Sequence, residues 1–422
     1  MKLTGTIFAF FVALMCMDAE AQPEQFNHDE AKVNPYALPA LLKMQNGTEV
    51  SSPEMWMEKR RPELLELFRS EVYGRSPGRV VGTTAIVTKR EEDALGGKAI
   101  RQEVTIRFGK NPRAPEMHLL IHSPKNATGA VPAFLGMSFR GNHTIHPDPG
   151  ITIQSNAVPV KMSKDFERGA QQQQWNVERI IERGYALATI FYGDIEPDMA
   201  DGWKQGVRGA QLEFEEGVFE PSQGERWGAI SAWAWGLSRA LDYLETDKLI
   251  DAKRVAVFGH SRLGKTALWA GAQDSRFAMT ISNESGCGGA ALNRRNFGET
   301  VRRINSSFPH WFCENFKKYN DREAELPIDQ HQLIALIAPR PVYVASAAED
   351  LWADPKGEFL GLLHAEPAYK LLGTDGLGIT EMPAVNQSVQ RRMGYHNRSG
   401  KHDVTEYDWE QYLAFADRHF KR

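Results

Sequence analysis

Residues 254–265 read Arg254-Val255-Ala256-Val257-Phe258-Gly259-His260-Ser261-Arg262-Leu263-Gly264-Lys265. A short apolar, β-branched run enters this stretch, and a helix-forming run, Lys265-Thr266-Ala267-Leu268-Trp269-Ala270, leaves it. Strand, sharp turn and helix make the setting of a nucleophile elbow. Such a turn needs little bulk around the serine. It lifts the hydroxyl above the sheet and aims N–H groups at the helix start toward developing negative charge. The usual spacing is G-x-S-x-G, but here Leu263 takes the second place after Ser261 and Gly264 follows one later. A bare G-x-S-x-x-G is a weak signal. Its bland alternative is a serine that only caps a helix.

Outward from this turn, strands and helices alternate. Strand patterns fall at Pro132–Phe139, Tyr185–Phe191, Val255–Phe258, Ala278–Asn283 and Val342–Ala345. Helical patterns fall at Val177–Arg183, Arg226–Leu244, Arg262–Gln273 and Asp408–His419. The alternation predicts a mainly parallel sheet in a three-layer α/β/α sandwich, the α/β-hydrolase fold. Earlier runs at Thr84–Val87, Ala99–Arg107 and Glu116–His122 predict first strands that are mostly antiparallel. A helix follows Pro62, and the polar stretch before it, residues 22–55, reads as irregular.

The 422 residues fit one large catalytic domain over 22–422, with an N-terminal extension over about 22–100. A net charge of −4 gives no electrostatic reason to expect nucleic acid or a membrane surface as a partner. We expect a monomer. Residues 1–21 read as a secretory signal peptide: Lys2, the apolar run Ile7–Met17, then Ala19-Glu20-Ala21 as a cleavage site. The protein is therefore expected to be secreted or periplasmic, with no membrane anchor after processing. The run is too short to span a bilayer, and Met15 before Cys16 argues against lipidation. Cys287 and Cys313 remain; one bridge between them is open, and two cysteines are too few for structural zinc. His143 and His146 lack an H-E-x-x-H or comparable carboxylate cluster, so neither metal nor cofactor is expected.

A serine nucleophile needs a base, and the base needs an orienting acid. In hydrolases of this fold the chain order is serine, acid, histidine. His402, in a loop before the last helix, fits the base. His364 sits in a packed helical pattern and His396 in a basic polar stretch. Two carboxylates compete as the acid: Glu284 ends the Ala278–Asn283 strand, and Asp350 follows the penultimate strand. Strand C-terminal ends face the crevice where α/β ligands bind. A second oxyanion donor is expected from Phe134–Thr144. Arg262, a cation at a helix start where the dipole disfavours one, has a functional reason to be there.

These residues resemble a known family. Gly259-His260-Ser261-Arg262-Leu263-Gly264-Lys265 is similar to the G-x-S-R-x-G-K signature of glucuronoyl esterases. Asn283-Glu284, Phe297-Gly298-Glu299, Phe308-Pro309-His310-Trp311, Ile337-Ala338-Pro339-Arg340-Pro341 and Trp352-Ala353-Asp354-Pro355 look like the bacterial branch. The likeness spans roughly residues 60 to 420. It implies hydrolysis of 4-O-methylglucuronic acid esters on glucuronoxylan, as in lignin–carbohydrate links. It assigns Ser261 as nucleophile, His402 as base, Arg262 at the oxyanion, and Lys265, Glu299 and Trp352 as sugar contacts. Fungal relatives place the acid at the position of Glu284 and many bacterial ones at that of Asp350; this chain has both. His260 stands where fungal members have a disulfide cysteine. The alternatives are an acetyl-xylan or feruloyl esterase, and a non-catalytic carbohydrate-binding protein on the same scaffold.

Overall fold

A computed structural model describes residues 26–111, 114–154 and 164–421. Residues 1–21, read as a signal peptide, lie outside the described residues. Within them no helix is long and apolar enough to cross a membrane.

Among the described residues ten strands form one sheet. They are β1 (Thr84–Asp93), β2 (Ala99–Arg107), β3 (Glu116–Pro124), β4 (Val131–Ser138), β5 (Ala186–Phe191), β6 (Ile250–His260), β7 (Met279–Asn283), β8 (Val342–Ala347), β9 (Ser388–Gln390) and β10 (Met393–Arg398). Their spatial order is β1-β2-β3-β5-β4-β6-β7-β8-β10-β9. The run β5-β4-β6-β7-β8-β10 is parallel. β1, β2 and β3 add antiparallel strands at one edge and β9 at the other.

Parallel strands are buried on both faces, so their side chains alternate between two cores. On β6, Val255 and Val257 enter one core, while Ala256 and Phe258 enter the other. The first core is covered by α1 (Arg61–Phe68), α2 (Ala229–Leu244), α3 (Arg262–Gln273) and α4 (Pro355–Leu371). The second is covered by α5 (Glu406–Phe420) and the short helix Val177–Glu182. The expected three-layer sandwich is therefore present. Two of the buried indoles find acceptors: Trp269 Nε1 donates to Ser231 Oγ at 2.7 Å and Trp233 Nε1 to the Glu196 carbonyl at 2.9 Å.

Two elements depart from the sequence expectation. The stretch holding His396, read as basic and polar, is β10, and His396 is fully buried. Its ring bonds Asp408 Oδ1 at 2.8 Å and Tyr343 Oη at 2.9 Å, which removes it as a rival base. α4 was not anticipated as a 17-residue helix; His364 lies in it, as its packed pattern implied. Cys287 and Cys313 are both buried free thiols, so the open bridge is not formed.

Candidate active site

The parallel strands all end on one side. Ser261 follows β6, Glu284 follows β7, Asp350 follows β8 and His402 follows β10. The turn at Ser261 is tight: its backbone sits at φ 57°, ψ −129°, a region that costs a non-glycine residue about 1–3 kcal/mol. A Cβ on Gly259 would lie 1.9 Å from the Leu263 carbonyl oxygen. One on Gly264 would lie 3.0 Å from the Asn283 carbonyl oxygen and from Ser285 Cβ. This explains the shifted glycine. Leu263 points into the core, 1 % exposed, and position 264 is where α3 presses on the end of β7. Ser261 N–H donates to the Asn283 carbonyl at 2.9 Å, stitching the elbow to that end.

His402 lies between both acids. Its Nδ1 is 2.6 Å from Asp350 Oδ2 and 3.1 Å from Glu284 Oε2. Glu284, also at positive φ, is held from other sides: Oε1 accepts from Arg398 Nη2 at 2.6 Å and Oε2 from Asp403 N–H at 3.0 Å. Asp350 is thus the nearer partner and Glu284 the more heavily shared one. Arg398 also reaches the Lys401 and Asp403 carbonyls (2.9 and 2.7 Å) and Asp408 Oδ2 (2.8 Å), clamping the His402 loop.

Ser261, Arg262, Lys265, Glu284, Glu299, Asp350, Trp352 and His402 all line one cavity of about 290 Å³, together with Phe308 and Trp311. The expected catalytic residues and sugar contacts are therefore gathered in one place, whereas the segment Phe134–Thr144, expected to give a second oxyanion donor, contributes no lining residue.

Comparison with known proteins sharpens this. A family model described as "Glucuronyl esterase, fungi" matches residues 214–373. A carbohydrate esterase from an unknown prokaryotic organism is 51 % identical over 412 residues, spanning 95 % of this chain and 94 % of that protein. The chain belongs to carbohydrate esterase family 15, the glucuronoyl esterases. Among solved structures, a promiscuous family-15 esterase from a marine bacterial metagenome is 50 % identical with a TM-score of 0.87, over 94 % of this chain and all of that one. A glucuronoyl esterase from Solibacter usitatus is likewise 50 % identical, with a TM-score of 0.86 over 92 % of this chain and all of that one. The protein is thus a carbohydrate esterase, a carboxylic ester hydrolase.

The electrostatics of this glucuronoyl esterase site follow from burial and close charges. Burial pushes the Glu284 carboxyl up to about 7, against the pull of His402 and Arg398. Burial works to lower the His402 imidazole, but its hydrogen bonds to Asp350 and Glu284 outweigh it and carry the ring to about 9. Two carboxylates around one ring favour its charged form. His260, buried against His402 with ring centroids 4.4 Å apart, is pushed down to about 3 and stays neutral. Its Nδ1 meets Asn283 Oδ1 at 2.5 Å.

Asp198 and Glu358 escaped the sequence reading, whereas Lys265 was expected as a sugar contact and proves also to brace a turn. Asp198, after β5, pairs with the Arg262 guanidinium and accepts from His310 Nε2 (2.8 Å) and Trp311 Nε1 (2.7 Å). It fixes the guanidinium 5.0 Å above the Trp311 ring. Glu358, on α4, accepts from the Ser285 and Gly286 N–H groups at 2.7 and 3.0 Å and holds the turn after Glu284. Lys265 Nζ donates to the Ser285 and Cys287 carbonyls (2.5 and 2.8 Å) and lies 3.6 Å from Glu299. It braces the same turn while lining the cavity.

His260, Glu284 and His402 offer three donor atoms within 4.8 Å of one another, the spacing of a metal site. The donor set fits a cation poorly. Both Glu284 oxygens are taken, and the Arg398 guanidinium 2.6 Å away opposes another positive charge.

Proposed function

We propose that this enzyme hydrolyses esters of 4-O-methylglucuronic acid on glucuronoxylan, as in lignin–carbohydrate links, through an acyl-enzyme on Ser261. The observation that carries the reading is His402 Nδ1 at 2.6 Å from Asp350, in the same cavity as the strained Ser261. Ser261 Oγ attacks the uronate carbonyl carbon while His402 Nε2 takes its proton. Negative charge collects on the carbonyl oxygen. The Arg262 N–H, at the start of α3, and the Arg262 guanidinium meet it there. The tetrahedral intermediate collapses, and the alcohol leaves with the proton from His402. Water then attacks the acyl carbon, giving its proton to His402, and free acid and Ser261 are restored. Asp350, and Glu284 behind it, hold the ring's Nδ1–H and stabilise its charged form.

The substrate carboxyl is esterified and neutral, so the cavity needs donors and an apolar face rather than a cationic clamp. Lys265 and Glu299 supply polar groups and Trp352 a ring that is 37 % exposed. The N-terminal apolar run supports a reading of export, which suits an enzyme that acts on a plant polymer.

Arg262→Met should lower kcat by about a hundred- to a thousandfold with little change in KM, because it removes one oxyanion donor. Steady-state kinetics on a glucuronate ester measure this. A fall in KM affinity alone, with kcat intact, contradicts that role. The substrate reading is tested by comparing benzyl or methyl glucuronate esters with acetyl and feruloyl esters. Preference for the uronate ester in kcat/KM is expected. The promiscuity of the marine relative favours a second reading, an ester range wider than uronates alone. Failure on uronate esters with turnover of acetyl or feruloyl esters overturns the first reading.

A further inference from the structure

The segment from Phe26 to Glu30 crosses the outside of the wall that carries Glu299 and Trp352. The Phe26 ring meets the Trp352 ring edge-on, centroids 4.8 Å apart at 78°. The Asn27 carbonyl accepts from Gly298 N–H at 2.8 Å, next to Glu299. Glu30 pairs with Arg295 and, at 2.8 Å, with Lys356, while Arg295 pairs with Asp354 at 2.8 Å. Arg303 lies 5.4 Å over the Phe26 ring.

Behind the cavity the two wall loops are joined to each other. Glu299 N–H donates to the Trp352 carbonyl at 3.0 Å, and a Cβ on Gly298 would lie 2.5 Å from the Leu351 and Trp352 carbonyl oxygens. Trp352 sits in a one-turn helix, Leu351–Ala353, and is partly exposed. The indole meets two rings of the 26–30 segment, Phe26 and, with centroids 6.5 Å apart, His28.

We propose that residues 26–30 form a strap that sets the orientation of Trp352 and Glu299, and so tunes affinity for the uronate sugar without touching the reacting atoms. Phe26 is then a positioning residue acting through Trp352, and Glu30 is the anchor that pins the strap to Arg295 and to Lys356 at the start of α4. The inference rests on the uronate reading above, since it is the sugar that this wall would meet. It concerns binding and leaves the Ser261 chemistry alone.

The test uses the full chain with Phe26→Ala, Glu30→Ala and Phe26→Tyr. Edge-to-face ring contacts are modest, so Phe26→Ala should raise KM for a 4-O-methylglucuronate ester by roughly three- to tenfold. kcat should stay within about twofold, and Phe26→Tyr should restore KM. Glu30→Ala should move KM in the same direction. Turnover of 4-nitrophenyl acetate, which has no sugar to place, should not change. An unchanged KM in Phe26→Ala, or a parallel fall on both substrates, overturns the strap. If the wild-type enzyme ignores uronate esters, it is the substrate reading that has failed, and the wild-type assay shows this before any variant is made.

Discussion

Ser261→Ala is expected to lower kcat on a glucuronate ester by about a millionfold while leaving the fold in place. Removing the serine of a serine–histidine pair costs about as much as removing the whole catalytic set, because the members act as a unit. The residual rate comes from binding and oxyanion contacts. The fold should survive because the local geometry is set by backbone contacts, the Ser261 N–H to Asn283 and the close approach of Gly259 and Gly264 to their neighbours. Alanine at φ 57° carries the same strain as serine, so the melting temperature should change little. Kinetics and thermal melting of the pure variant check both. Retention of even a tenth of the wild-type rate contradicts Ser261 as nucleophile.

The second large effect concerns the paired acids. Glu284→Ala combined with Asp350→Ala should cost about ten-thousandfold in kcat, the scale seen when a triad acid is lost and the imidazole is left in the wrong tautomer. The single losses should be milder and unequal. Asp350→Ala should cost more, because Asp350 is 2.6 Å from His402 whereas Glu284 is 3.1 Å away and shares its oxygens with Arg398 and Asp403. The pH profile gives an independent readout. Both carboxylates raise the His402 pKa, to about 9 with the pair intact. The base works only when neutral, so activity rises with pH through that pKa. Deleting either carboxylate lowers it, and the rising limb should move to lower pH. Mild singles with a severe double mean that the acids back each other up. If neither the singles nor the double matter, His402 is not the base oriented here.

The arrangement of the core was readable because parallel strands buried on both faces read as near-continuous apolar runs, which β4, β5 and the Val255–Phe258 part of β6 show. Ser261, Glu284, Asp350 and His402 were readable because hydrolases of this fold place such groups at strand ends in a fixed chain order. β10 was not. Its residues His396, Asn397 and Arg398 read as surface, and only partners distant in sequence make them buried: Asp408 and Tyr343 for His396, Glu284 and Asp408 for Arg398. α4 hid for another reason. Gly357, Gly361 and Pro367 lower its apparent helicity, yet a Cβ on Gly361 would lie 2.1 Å from the Ala290 carbonyl oxygen, so packing demands glycine there. Asp198 could not be paired with Arg262 from spacing at all, since 64 positions of chain separate them. The same physics limits the Arg262 argument from sequence. The helix dipole said that a cation at the start of α3 was unusual, and Asp198 is what holds it there.

The most direct measurement is rapid acid quench of the enzyme during turnover of a 4-O-methylglucuronate ester, followed by peptide mass mapping. The expected result is a uronyl adduct on the peptide carrying Ser261, present in wild type and absent in Ser261→Ala. Wild-type turnover with the adduct on another residue, or a Ser261→Ala enzyme that still releases the alcohol at the wild-type rate, contradicts nucleophilic catalysis by Ser261.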